Sequence, residues 1–184
     1  MTRKPRQKDD FYSTPLAVID SILPHLPLGR DILEPAAGDG AILQRLRARG
    51  VQRERLTAIE LDRDRSLECD RYARTLRGDA LDMSWATASL VITNPPFKLA
   101  QRFVEKALAC VEETGGTVAM LLRLTFLESR ERIALHNNYP ADVYILPSRP
   151  KFVHGKTDMV TSAWFVWGPS RGGHWGILDV RGDK

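Results

Sequence analysis

Apolar positions along the chain fall into short blocks that are apolar throughout and longer stretches with a helical period. Thr14-Pro15 reads as an N-cap and first helical residue. Leu16, Ile19, Ile22 and Leu23 then share one helical face, which ends near Pro24. Residues 31–34 read as a short strand, followed by the turn Pro35-Ala36-Ala37-Gly38-Asp39-Gly40. A helix over 41–49 follows, apolar at Ile42, Leu43 and Leu46 and stopped by Gly50. Residues 56–60 read as a strand and 63–74 as a charged helical segment. The run 90–93 is a buried strand broken by Asn94-Pro95-Pro96. The spacing of Ala100, Phe103, Val104, Ala107, Leu108 and Val111 predicts a helix over 98–112. Another buried strand is expected over 117–122 and a helix over 127–136.

Beyond this the pattern changes. Residues 143–146 and 163–167 read as two strands around a basic, proline-bearing loop, an antiparallel long hairpin. Strands alternating with helices before it imply a parallel sheet covered on both faces. There is no internal repeat and no low-complexity linker, so residues 11–184 are expected to form a single α/β domain behind a basic, disordered arm over 1–10.

Composition adds limits more than identity. The 184 residues suffice for one full core and are too few for two ordinary ones. No run approaches the ~18 apolar residues of a membrane span, and no apolar signal-peptide core follows the basic start. Cys69 and Cys110 make no disulfide framework and fit a reducing cytoplasm; they are expected on a solvated helix face and in a packed helix respectively. His25, His136, His154 and His174 are scattered without ligand spacing, so no metal is expected. The net charge of +4 and pI near 9.3 suit a polyanionic partner. The charge is placed as well as present. Arg3, Lys4, Arg6 and Lys8 crowd the arm, which would serve equally as a solvated tail, and Arg149, Lys151, His154 and Lys156 crowd the late loop.

Strand, Gly38-Asp39-Gly40 turn and helix together mark a ligand site at the carboxyl edge of the first strand, where glycine lets backbone approach a ligand closely. Alone, the pattern is equally a tight connection, lacking a dinucleotide fingerprint's third glycine and a P-loop's lysine. Glu60 ends the second strand about twenty residues further on, where a carboxylate can accept both ribose hydroxyls of a nucleoside. Gly78-Asp79-Ala80-Leu81 falls where a third strand ends, and an aspartate there can accept from an adenine amino group. In this order they outline an adenosine pocket.

Asn94-Pro95-Pro96-Phe97 is the most specific feature. Both prolines fix φ and lack N–H donors, so the turn is stiff and presents acceptors. The Asn94 side-chain carbonyl and the Pro95 backbone carbonyl suit an amine with two hydrogens, and Phe97 offers a flat face to a heteroaromatic ring. The amino lone pair of adenine is delocalised into its ring. Two accepted hydrogen bonds pull that nitrogen toward a pyramidal, nucleophilic geometry without a strong base.

Taken in order, Pro35 to Gly40, Ile59-Glu60, Gly78-Asp79 and Asn94 to Phe97 resemble class I S-adenosylmethionine-dependent methyltransferases, and within them the branch acting on adenine N6. With Tyr12-Ser13-Thr14-Pro15 ahead of the glycine turn, the order is similar to the gamma arrangement of DNA adenine methyltransferases, of the small phage or prophage type. The resemblance covers roughly residues 11 to 168. It implies a Rossmann-like, seven-stranded, mostly parallel sheet with an antiparallel terminal hairpin and helices on both faces. It implies S-adenosyl-L-methionine as cofactor, held by Tyr12, Thr14 and Pro15 at the methionine end, by the loop of Glu34, Ala36, Gly38 and Gly40, by Glu60 at the ribose, and by Asp79 with Leu81 at the adenine. Asn94, beside cofactor and base alike, would with Pro95 and Phe97 do the chemistry. Pro96, Lys98, Lys151 and Lys156 would line the substrate path. Phe152 would stack on the base's other face, or serve as a core aromatic of the hairpin. Ninety residues follow Asn94, mostly needed to finish the sheet. A separate target-recognition domain is therefore not expected, and sequence preference should be short or lax.

Four rival readings use the same residues. Adenine in structured RNA would suit the same turn, although DNA is favoured. A protein glutamine amide offers the same two N–H groups, but the basic arm and loop argue against it. A non-catalytic nucleic-acid-binding protein on this fold would need none of Asn94, Glu60 and Asp79. A nicotinamide enzyme is open on fold alone and leaves Asn94 to Phe97 unexplained.

Overall fold

The computed structural model describes residues 13–147, 161–169 and 171–180. They build one eight-stranded sheet in the order β3-β2-β1-β4-β5-β7-β6-β8. The first five strands are β1 (Ile32–Glu34), β2 (Leu56–Glu60), β3 (Arg74–Arg77), β4 (Leu90–Thr93) and β5 (Thr117–Arg123), and they run parallel. β7 (Ser162–Trp167) enters antiparallel between β5 and β6 (Asp142–Ile145), as the late hairpin pattern required. To the seven expected strands the structure adds β8 (Trp175–Ile177), parallel to β6 on the outer edge. Asp142 organises its approach: Oδ1 accepts from the Gly172 and His174 N–H groups and Oδ2 from Arg171.

Alternation along each strand sends side chains to opposite layers. Ile32, Leu56, Leu90, Ile92, Ala119, Leu121, Trp164 and Val166 meet α1 (Leu16–Ile22) and α2 (Ala41–Ala48), with Cys69 of α3 (Arg63–Cys69) on the same side. Leu33, Val91, Val118, Met120, Phe165 and Trp167 meet Phe103, Val104, Ala107 and Val111 of α4 (Ala100–Glu112) on the other. The central strands are buried on both faces, which is why they read as unbroken apolar runs.

Three local expectations are corrected. Thr14 does not cap α1: Pro15 is the N-cap, without a side-chain hydrogen bond, and the Thr14 hydroxyl is used elsewhere. The expected helix over 127–136 is replaced by two 3-10 turns, Leu124–Glu128 and Arg130–Arg132, and a short α5 (Ile133–Asn138). Ser129 marks the break, because its backbone is extended and its hydroxyl accepts from the Glu131 N–H at 3.2 Å. Cys69 is fully buried, not on a solvated face, and its thiol donates to the Gly38 carbonyl at 3.4 Å. Burial pushes that thiol's pKa well above its ordinary range.

Because β2 and β3 lie to one side of β1 and β4 and β5 to the other, the chain reverses direction of winding between β1 and β4. In open α/β sheets the crevice beyond the carboxyl ends of such a pair is where ligands bind.

Candidate functional site

The turns leaving β1 and β4 meet over that crevice and enclose a cavity of about 480 Å³. Its volume falls within the ordinary range of small-molecule sites. Of the residues singled out in the sequence, Thr14, Glu34, Ala36, Gly38, Glu60, Asp79, Asn94, Pro95, Pro96, Phe97 and Lys98 line it. Three described residues do not. Pro15 starts α1, Leu81 donates its N–H to Asp79, and Gly40 sits beneath the loop as N-cap of α2 at φ +78°. A Cβ on Gly40 would make only ordinary contacts with Tyr72 and Cys69, 3.4 and 3.5 Å away. Its requirement for glycine is therefore conformational. Tyr12, Lys151, Phe152, Lys156 and the arm lie outside the described residues.

The β1–α2 loop is tied to the end of β2. Ala37 N–H donates to the Ile59 carbonyl at 3.1 Å, and Gly38, at φ +57°, donates to Glu60 Oε2 at 2.7 Å. Glu60 Oε1 accepts from Asp62 N–H at 2.9 Å and Arg65 Nε at 3.1 Å. Three of the roughly four acceptor positions of a carboxylate are thus engaged by the chain itself. The remaining one, on Oε2, can accept one ligand hydroxyl without rearrangement.

Glu34 lies behind the loop at 2% exposure, and its Oε2 has no hydrogen-bond partner among the described residues. Burial first, then the neighbouring charges of Asp39 and Glu60, raises its carboxyl well above the ordinary carboxylate range. A buried carboxylate oxygen without a partner is costly, and the protonated form lowers that cost. Asp79 is exposed at the cavity rim. Its Oδ1 accepts from Leu81 N–H at 2.9 Å, leaving the second oxygen available to a ligand.

At the other wall, Asn94 Nδ2 donates to Thr14 Oγ1 at 3.0 Å across eighty residues of sequence. The threonine is 7% exposed. The bond holds the amide with its Nδ2 toward the threonine. Pro95 is buried and Pro96 half-buried, and neither has an N–H to offer. The Phe97 ring carries the Arg123 guanidinium 4.2 Å from its centroid, a cation–π contact. Arg123 ends β5 next to the target turn. Leu124 N–H donates to the Thr161 carbonyl at 2.8 Å, at the root of the basic loop.

Sequence reasoning missed Arg123, Arg65 and Phe103. Arg123 carried a readable signal, a charge terminating a buried strand, the same signal that singled out Glu60. Arg65 and Phe103 carried none, since a salt-bridging arginine one turn into a helix and an aromatic on an apolar stripe are ordinary.

No family model and no curated protein matches the chain. Solved structures do. A Pyrococcus horikoshii protein provisionally assigned as an RNA methyltransferase superposes with a TM-score of 0.67 at 16% identity, over 90% of this chain and 91% of that one. A Listeria monocytogenes protein provisionally assigned as a class I S-adenosylmethionine-dependent methyltransferase gives 0.64 at 12% identity, over 89% and 62%. A dimethyladenosine transferase from Plasmodium falciparum gives 0.61 at 12% identity, over 87% and 64%. The chain has the fold of the class I methyltransferases.

Proposed function

We propose that the chain transfers a methyl group from S-adenosylmethionine to the N6 amino group of adenine in nucleic acid, DNA in preference to RNA. The observation that carries this reading is the Asn94 amide, anchored by Thr14 at the head of a proline turn, in one cavity with Glu34, Glu60 and Asp79. When bound, S-adenosylmethionine supplies an electrophilic methyl on a sulfonium. The residues present fit it: the last acceptor position of Glu60 and the open oxygen of Asp79 lie along the cavity for ribose and adenine donors.

The chain's own residues do the remaining work. Asn94 Oδ1 accepts one N–H of the target amine and the Pro95 carbonyl accepts the other, which localises the lone pair on nitrogen. Phe97 replaces the stacking that a target base loses when it leaves a duplex. Arg123 steadies that ring from above or below and brings positive charge beside the turn. Nothing here requires a strong base, because the proton leaves after nitrogen has become cationic and acidic.

The motif order, with residues 12–15 ahead of the glycine turn, supports DNA and the small phage type. Adenine in RNA is the second reading, favoured by the neighbour of the same fold provisionally assigned as an RNA methyltransferase. The test is a panel: the purified chain with methyl-labelled S-adenosylmethionine and duplex DNA, single-stranded DNA, RNA or a protein extract. Label in DNA is expected. Label confined to RNA would shift the substrate, and label confined to protein would overturn the nucleic-acid reading.

A further inference from the structure

Lys106 stands one helical turn beyond Phe103 on α4, and its ammonium is spent entirely on one short loop. Nζ donates to the carbonyls of Ala80 at 2.9 Å, Leu81 at 3.0 Å and Met83 at 2.5 Å. Three donors meet three acceptors, which is the full capacity of a lysine. The same ammonium lies 5.2 Å from the Trp85 ring centroid, and Trp85 Nε1 donates to the Ala80 carbonyl at 2.7 Å. Trp85 in turn packs on Phe103 with centroids 6.2 Å apart. The loop is already compact, since the Asp79 carbonyl accepts from both Asp82 and Met83 N–H groups at 3.1 Å.

The two ends of this clasp are functional. Asp79 and Ala80 line the cavity where the cofactor's adenine would lie. Phe103 lines the same cavity, and α4 begins three residues after Phe97. A helix is stiff over this length, so the target turn and the adenine loop are held in one register by Lys106. A surface lysine without a task would leave its head in water. This one satisfies three carbonyls instead. A loop of this kind has no sheet neighbour to fix it, and its carbonyls would otherwise be free to reorient.

We propose that Lys106 is a positioning residue that sets the adenine-recognising loop of the cofactor site, holding Asp79 at the distance needed to read the adenine amino group. The proposal rests on the cofactor reading above. It makes a demand that a merely stabilising contact does not, because loosening the loop should erode discrimination at the adenine amino group more than affinity in general.

The experiment compares calorimetric binding of S-adenosylhomocysteine and S-inosylhomocysteine, which differ by an amino group replaced by a carbonyl oxygen. The unaltered chain should prefer the adenosyl compound by about tenfold or more, the scale of one hydrogen bond to a charged acceptor. Lys106→Met should reduce that preference to within about threefold. Val111→Ala, a core truncation at the far end of α4, should lower the melting temperature and leave the preference intact. If Lys106→Met does not fold, Lys106→Gln retains the stem and part of the donor set and should move the ratio in the same direction. A folded Lys106→Met or Lys106→Gln chain with the wild-type ratio overturns the proposal. An unaltered chain that binds neither compound overturns the cofactor reading and the proposal with it.

Discussion

Thr14→Val removes a hydroxyl that anchors the Asn94 amide while keeping the shape of the side chain. The bond is 3.0 Å long and its acceptor is 7% exposed, so the loss corresponds to an ordinary buried hydrogen bond of about 1 kcal/mol. If that bond serves to orient Asn94 Oδ1, the loss appears in turnover as roughly a fivefold fall in kcat at saturating cofactor, from about 1.4 kcal/mol per factor of ten. Asn94→Ala removes the acceptor itself and should cost at least ~10²-fold, comparable to one preorganised partner in other sites. The decisive quantity is the double variant. Independent losses would multiply to roughly 500-fold, whereas a threonine acting only through Asn94 adds nothing once the asparagine is gone. The assay is single-turnover methyl transfer at saturating cofactor, with melting curves to show that all three variants fold. Thr14→Val losing the same factor in the Asn94→Ala background as in the wild type would refute the anchoring role.

Glu60→Ala should weaken S-adenosylmethionine binding by about 1–3 kcal/mol by calorimetry, because it removes a ribose acceptor and the partner of Gly38 N–H together; unchanged affinity in a folded variant would remove Glu60 from the pocket. Phe97→Ala should cut transfer to a duplex oligonucleotide by tenfold or more, on the order of the stacking worth of one base, and leave cofactor affinity nearly intact. Glu34 gives a pH dependence with a defined sign. Its folded pKa lies well above 4.5, so the folded chain holds the extra proton. Its stability contribution is full below the unfolded value and declines as pH rises through the folded one. Glu34→Gln mimics the protonated form and should flatten that decline in the cofactor-free protein; parallel pH–stability curves for variant and wild type would contradict the assignment.

Strands β2 and β4 were legible to the residue, since Leu56–Glu60 is largely buried and Leu90–Thr93 is buried throughout, with no helical period in either. Glu60 and Asn94 were legible for a related reason: each is a polar group at the end of a largely buried strand, and Asp79 was legible from the glycine before it. Thr14 was visible as a hydroxyl before a proline, but a hydroxyl that caps and one that reaches a partner eighty residues away look identical in sequence. β8 was hidden by its glycine-rich surroundings, Gly172, Gly173 and Gly176, and owes its place to Asp142, a tertiary partner rather than a local propensity. Lys106 was hidden likewise. A lysine on an amphipathic helix is usually solvated, and only the fold brings three carbonyls beneath it.

The chemistry turns on which atom receives the methyl group. Duplex DNA treated with the chain and S-adenosylmethionine can be digested to nucleosides and read by mass spectrometry. With Asn94, two prolines and Phe97 in the turn, and no cysteine directly after the proline pair to attack a pyrimidine ring, the proposed reading predicts N6-methyladenine as the product, lost in Asn94→Ala. A nucleoside methylated on a ring carbon, or N6-methyladenine formed at the wild-type rate by Asn94→Ala, would contradict it.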